Sequence, residues 1–296
     1  MMTIKRALRS VAAQEDLNFL LTNRIPRIAL TRFMGWFSEL RHPWISRPSI
    51  ALWQVFCDLD LHEARESRFA SLHDAFIREL KPGARSIDPR PEVLTSPSDA
   101  IVGAHGKVEN GRLYQAKGFP YQLEELVGDA EQARAWQGAH FVTLRLTAGM
   151  YHRFHAPTAG TLRQVRYISG DTWNVNPIAL QRVERLFCKN ERASLKIDPS
   201  DGGASIGIVA VAAILVASIR LHAVPDTLNT RFKGRRDYDC DQHYSKGDEM
   251  GWFHHGSTLI LLVPSQFKRL DAWQEGDRIQ MGQALFRRDD CQQNVV

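Results

Sequence analysis

The sequence predicts an α+β fold in which an amphipathic helical N-terminal region precedes a β-rich body. Three observations predict it. Apolar residues between Pro26 and Leu59 recur at helical spacing. Beyond Pro82-Gly83 they come instead in short runs punctuated by Asn, Asp, Gly and Pro. With 296 residues, 44% of them hydrophobic, the chain is also long enough to bury a large core.

In residues 26–40, Ala29, Leu30, Phe33, Met34, Trp36, Phe37 and Leu40 fall on one arc at about 100° per residue. Arg27 and Arg32 mark the edges of the polar face, and Pro26 suits a first helical turn. A second amphipathic stretch, residues 50–59, carries Leu52, Trp53, Val55, Phe56 and Leu59. Such faces either pack on a core of their own or lie in a lipid interface. The basic edges and the aromatic residues Phe33, Trp36, Phe37, Trp44 and Trp53 favour the interface. The boundary falls within residues 62–90 and is drawn between a membrane-associating region, 1–65, and a body, 66–296. In the body, residues 141–146, 162–167 and 258–263 read as strands and residues 124–138 as a helix among them. Residues 289–296 are expected to fray.

The charge is local. Residues 1–50 hold Lys5, Arg6, Arg9, Arg24, Arg27, Arg32, Arg41 and Arg47 against Glu15, Asp16 and Glu39. That net of 8 − 3 = +5 equals the +5 of the whole chain, so the remainder is formally neutral. No basic-aromatic stripe in the body points to nucleic acid, and an acidic lipid surface fits the excess better. Cys57, Cys188, Cys240 and Cys291 are far apart, with no Cys-x-x-Cys pair, which argues against a zinc site or a disulfide framework and for a reducing compartment. No uninterrupted apolar stretch follows the basic N-terminus, so no secretory signal is expected. The apolar residues 204–221 reach membrane-spanning length only if Ser205, Gly207, Ser218 and Arg220 are counted in.

The chemistry centres on Gly256-Ser257-Thr258, at the mouth of a strand-like run. A serine hydroxyl directly after glycine can attack the preceding carbonyl in an N→O acyl shift, because glycine has no Cβ to obstruct it. β-Elimination of the ester would then leave dehydroalanine at 257, and from it an N-terminal pyruvoyl group. A serine nucleophile needs a base, and the base needs a group to support its charge. Asp99, after the Ser96-Pro97 turn, and His155 are candidates for those roles, and His152 stands three residues before His155. Other readings exist for these residues. His152-x-x-His155 could be half a metal site, but no third ligand is obvious. Asp99 could merely hold its turn, and His254-His255 reads as a loop accident. A conventional serine hydrolase lacks support, since Gly-x-Ser-x-Gly is absent around Ser257.

In this pattern the chain resembles the pyruvoyl-dependent phosphatidylserine decarboxylases. The stretches that carry the resemblance are residues 80–89, 93–99, 151–157, 170–176, 186–192, 246–258 and 276–283. The resemblance implies that Asp99, His155 and Ser257 form a self-cleavage triad and that His152 serves the decarboxylation itself. It implies a cut between Gly256 and Ser257, giving a large chain, 1–256, and a small chain, 257–296, that stay together as a heterodimer, with further dimerisation left open. The pyruvoyl group made from Ser257 would form a Schiff base with phosphatidylserine and release phosphatidylethanolamine and CO₂, with no metal or external cofactor. It also makes residues 204–221 a buried strand rather than a span, and it places the protein peripherally on the cytoplasmic face of the cell membrane. Departures from the family pattern are Ala100, Ala212, Ile214, Ala217 and His255. They leave one rival, a non-catalytic lipid-binding relative that keeps the fold without maturing.

Overall fold

Two helices, α1 (Arg27–Ser38) and α2 (Pro43–Phe56), stand where the amphipathic pattern puts them. They belong to a computed structural model that describes residues 16, 19–20, 23, 26–57, 59–115, 119–215, 218–254 and 257–289. Gly256, His255, Ala217 and the end of the chain from residue 290 lie outside the described residues. Helix α1 turns its small polar residues inward: Thr31 and Ser38 are buried, while Phe33 and Trp36 are 51% and 60% exposed. Helix α2 does the same, burying Ser46 and leaving Trp44, Leu52 and Phe56 in solvent. It starts seven residues before the expected stretch. Pro43 fits its first turn and the His42 side chain caps it by accepting from Trp44 N, whereas Pro48 inside the helix removes one hydrogen bond and masks the pattern.

The other helices are short: α3 (Leu72–Phe76), α4 (Leu123–Val127), α5 (Ala130–Ala135), α6 (Pro177–Arg182) and α7 (Leu186–Lys189). The helix expected over residues 124–138 is thus two. Gly128, at φ 72°, ends α4 in a left-handed cap, and the Asp129 carboxylate restarts the chain by accepting from Gln132 N at 2.8 Å.

The strands are β1 (Val93–Thr95), β2 (Ala100–Lys107), β3 (Arg112–Tyr114), β4 (Pro120–Gln122), β5 (His140–Leu146), β6 (Arg153–His155), β7 (Gly160–Ile168), β8 (Arg192–Pro199) and β9 (Ile206–Ala212). They continue with β10 (Ser218–Leu221), β11 (Thr227–Asn229), β12 (Asp237–Tyr244), β13 (Glu249–Phe253), β14 (Ser257–Val263), β15 (Phe267–Arg269), β16 (Arg278–Ile279) and β17 (Ala284–Arg288). Eight of them form one antiparallel sheet in the order β12-β7-β8-β9-β14-β5-β2-β16. A second sheet, β11-β10-β13-β6, carries the histidine segment, and β1-β17-β15 and β3-β4 complete the body.

Strand β14 lies between β9 and β5 with all seven residues buried. Leu259 and Leu261 face a core shared with Leu144, Phe154, Ile219 and Phe253. Ile260 and Leu262 face a second core with Val209, Trp136, Leu126 and Phe187. Apolar cover on both faces is why this strand reads as a continuous hydrophobic run without alternation. The expected single buried strand over residues 204–221 is corrected. β9 ends at Ala212, the chain turns through residues 213–215 with Leu215 at φ 85°, and β10 resumes in the other sheet. Turn and helix are tied, since Thr31 Oγ1 of α1 accepts from Leu215 N at 3.2 Å. Arg27 likewise leaves the lipid-facing edge expected of it. It pairs with Asp171 at 2.5 Å and lies 3.8 Å over the Trp173 ring.

Candidate active site

The sheets meet at the residues singled out in the sequence. In the turn before β2, Ser96 Oγ donates to Ser98 O at 2.7 Å, which fixes the entry of Asp99. The Asp99 carboxylate accepts from Met281 N at 2.9 Å and, in fork geometry, from Arg85 Nε at 2.8 Å and Nη2 at 2.5 Å. Arg85 is itself buried, and its Nη1 donates to Glu63 at 2.8 Å. The hydrogen bonds to Asp99, outweighing desolvation, strengthen its hold on the proton. The neighbouring departure Ala100 is an ordinary buried strand residue opposite Ile279, so glycine is not required there.

His155 ends β6, and its backbone N–H donates to Pro97 O at 2.8 Å, seating it against the Asp99 turn. Its Nδ1 lies 2.9 Å from Gly247 O, which can only accept, so Nδ1 carries the proton. Gly247 has φ 86°, and a Cβ there would collide with Ile87, so glycine is needed to aim that carbonyl. The other nitrogen, Nε2, is left as an acceptor and takes the Tyr151 hydroxyl at 3.0 Å. Burial lowers the His155 pKa, against the raising effects of the Gly247 bond, Glu249 and Asp99, and so favours the neutral imidazole, the form a base requires. His152 is fully buried, with Nδ1 at 2.9 Å from Met150 O and its ring 4.0 Å from that of Phe76. Its carbonyl accepts from Phe253 N at 3.0 Å, four residues before Ser257.

Ser257 heads β14, opposite Leu146 on one side and Ala212 on the other. Its hydroxyl is buried and makes no hydrogen bond among the described residues. No hydrogen bond joins any two of Asp99, His155 and Ser257: Arg85 holds the carboxylate and Tyr151 the imidazole. The loop after β5 runs between them. A cavity of about 540 Å³ contains Asp99, Arg85, Arg78 and Tyr151, and a second, of about 220 Å³, contains Arg145, Asn174, Ala213 and Leu215. Thr147 and Ala148 line both. The second cavity is lined by residues at and just beyond the ends of β5 and β9, the strands that flank β14. Ala212 pairs with Ser257 in the sheet and Ile214 lines the second cavity, while Gly256, Ala217 and His255 lie outside the described residues.

Sequence reasoning missed Arg85 as the partner of Asp99 and Tyr151 as that of His155, although both lie in stretches that carried the resemblance. Nothing in spacing shows that Arg85, 14 residues before Asp99, folds onto it. His254 is half-buried, its ring centroid 4.7 Å from that of His73, and desolvation pushes its pKa down to about 3. Among the described residues no cluster of three or more His, Cys, Asp or Glu is placed to hold a metal ion. No helix among them is long and apolar enough to cross a membrane.

The family model described as phosphatidylserine decarboxylase matches residues 72–287. A phosphatidylserine decarboxylase proenzyme of Bordetella pertussis is 36% identical over 270 residues, covering 88% of this chain and 90% of that protein. Proteins of the same name from Brevibacillus brevis and Azotobacter vinelandii are 34% and 35% identical. These cover 90% and 92% of this chain and 95% and 98% of their own lengths.

Proposed function

The chain belongs to the phosphatidylserine decarboxylase family, and from that premise we propose that it cuts itself before Ser257 and then decarboxylates phosphatidylserine to phosphatidylethanolamine. The observation that carries the proposal is Ser257 itself. A serine hydroxyl that is buried, without a hydrogen-bond partner among the described residues and at the head of a central strand costs stability, yet leaves its oxygen and proton uncommitted for chemistry. Such an orphaned hydroxyl fits the precursor of a pyruvoyl group. His155, neutral and protonated on Nδ1, has the tautomer of a general base, with Nε2 as the accepting atom.

The steps for this chain follow. Tyr151 swings off His155 Nε2, which takes the Ser257 hydroxyl proton as Oγ attacks the Gly256 carbonyl carbon. The Gly256–Ser257 amide breaks, its nitrogen becomes a free amine and an ester links Oγ to Gly256. Asp99, held by Arg85, offsets the positive charge on His155. Removal of the Ser257 α-proton expels the Gly256 carboxylate, and water replaces the amine as ammonia to leave the pyruvoyl terminus. That group supplies a carbonyl that draws off the electron pair left by departing CO₂. His152, tethered through Nδ1 to Met150 O, delivers a proton to the former α-carbon in this scheme.

The outward aromatic face of α1 and α2 supports a peripheral seat on the cytoplasmic face of the cell membrane, with the aromatic side chains in the headgroup layer. The test is intact mass and a denaturing gel. The parent should run as two chains and Ser257→Ala as one, without decarboxylation. His155→Ala or Asp99→Ala should leave precursor, with cutting slowed about 10²–10⁴-fold. His152→Ala should be cut but inactive. A parent that stays one chain refutes the proposal and leaves the non-catalytic relative.

A further inference from the structure

We propose that residues 76–78 position His152 for the decarboxylation and that Trp53 of α2 sets this segment, so a helix proposed to face lipid also serves the active site. This rests on the role given to His152 above and adds residues that act through it. His152 is fully buried, and its Nδ1 lies 2.9 Å from Met150 O, which can only accept. Nε2 is therefore the nitrogen through which a proton moves. One hydrogen bond at the edge of the ring fixes its direction but leaves the ring able to swing about that bond. A contact on the face of the ring has to stop the swing. Phe76 makes that contact, with ring centroids 4.0 Å apart and planes inclined at 36°. The restraint matters, because a misplacement of about 1 Å can cost about 10²-fold in rate.

The next two residues hold the chain on either side of His152. Ile77 O accepts from Arg153 Nε at 2.9 Å, and Arg78 Nη2 donates to Gly149 O at 3.0 Å. Arg153 is anchored in turn on Glu249 at 2.7 Å, and Arg78 is itself buried. Residues 76–78 thus grip residues 149–153 by one ring contact and two hydrogen bonds. Their own placement comes from outside. Helix α3, which ends at Phe76, has five residues, too few to be stable without packing. Phe76 is fully buried and stacks on Trp53, with centroids 5.5 Å apart and planes inclined at 19°. Trp53 is the half-buried side of α2, whose Trp44, Leu52 and Phe56 face solvent. Three rings in series, Trp53, Phe76 and His152, therefore run from α2 to the buried imidazole. His155 is held separately, by Gly247 O and the Tyr151 hydroxyl, so the grip on His152 serves turnover rather than self-cutting.

The test compares self-cutting with turnover. By intact mass, Phe76→Leu and Trp53→Ala should each give two chains, cut as fast as the parent and with the pyruvoyl group in place. Turnover is measured on a short-chain phosphatidylserine kept below its micelle concentration, which presents no surface for α2 to bind. On it, Phe76→Leu should lower kcat about tenfold to a hundredfold and Trp53→Ala about threefold to tenfold, with KM within about twofold of the parent. Trp53→Phe, which keeps a ring against Phe76, should restore most of the loss. Unchanged kcat in the cut Phe76→Leu and Trp53→Ala proteins would overturn the proposal. A loss shared equally by self-cutting, or one confined to KM, would overturn it too, since neither comes from a misplaced His152. If Phe76→Leu does not fold, the milder pair Trp53→Ala and Trp53→Phe decides in the same way. Full turnover by cut His152→Ala would instead refute the role of His152, and a parent that stays one chain would refute the proposed reaction.

Discussion

Arg85→Gln should unfold the precursor more easily by about 3–5 kcal/mol, because it breaks a buried ion pair by removing one partner. The Arg85 and Asp99 side chains are 6% and 13% exposed, so little water screens the pair. The substitution deletes both forked hydrogen bonds to Asp99 and the bond to Glu63, leaving the carboxylate with Met281 N as its remaining donor. Asp99→Asn should cost less, about 1–3 kcal/mol, since Arg85 keeps Glu63 and its bond to Ala84 O. The double variant should therefore recover about 0.5–3 kcal/mol relative to the sum of the two losses. Urea unfolding of all four proteins, each carrying Ser257→Ala so that cutting cannot confound the comparison, gives the cycle. Losses that add within about 0.3 kcal/mol would refute the idea that Arg85 holds Asp99 in place.

Glu191 is fully buried, neither carboxyl oxygen has a hydrogen bond of ordinary geometry among the described residues, and burial, against the lowering effect of the nearby Tyr167 hydroxyl, raises its pKa to about 8. A raised acid pKa means the folded state keeps a proton that the unfolded chain releases above about 4.5. Stability from this group is thus complete below about 4.5 and is lost as pH rises toward about 8, at up to about 1.4 kcal/mol per pH unit. Glu191→Gln should flatten that part of the urea-stability profile, and an unchanged slope would show that the carboxyl is not held neutral. Arg32→Glu should weaken binding to anionic vesicles roughly tenfold or more, from about 1 kcal/mol per charge near an acidic surface, and less so in high salt. Arg27→Glu should instead cost about 3–5 kcal/mol of folding stability, because it sets a second carboxylate beside Asp171. Equal vesicle binding by Arg32→Glu and the parent would mean that α1 does not meet the lipid.

What the sequence disclosed was what local pattern encodes. Helical spacing over residues 26–40 identified α1, and the unbroken apolar run 258–263 identified β14, because each pattern depends on residues close together in the chain. The failures arose where distant segments decide. Arg27 looked like one edge of a polar face until Asp171 and Trp173 claimed it. Residues 204–221 looked like one strand because both halves are apolar, yet the halves pair with different sheets. The hydroxyl of Tyr151 and the fork of Arg85 became visible only once β6, β13 and the Asp99 turn were packed together.

The position of β14 dictates an order of events. A strand paired on both edges and covered on both faces cannot be added to a finished sheet from outside, so the chain must fold while still continuous. A cut before Ser257 would then leave the first strand of the short product clamped between β5 and β9. The scissors and the seam are parts of one object, and severing it would change connectivity without changing shape. Once unfolded, however, the severed pieces would have lost the link that brought β14 to its slot. The mature protein would be durable by the slowness of its opening rather than by any ability to reassemble.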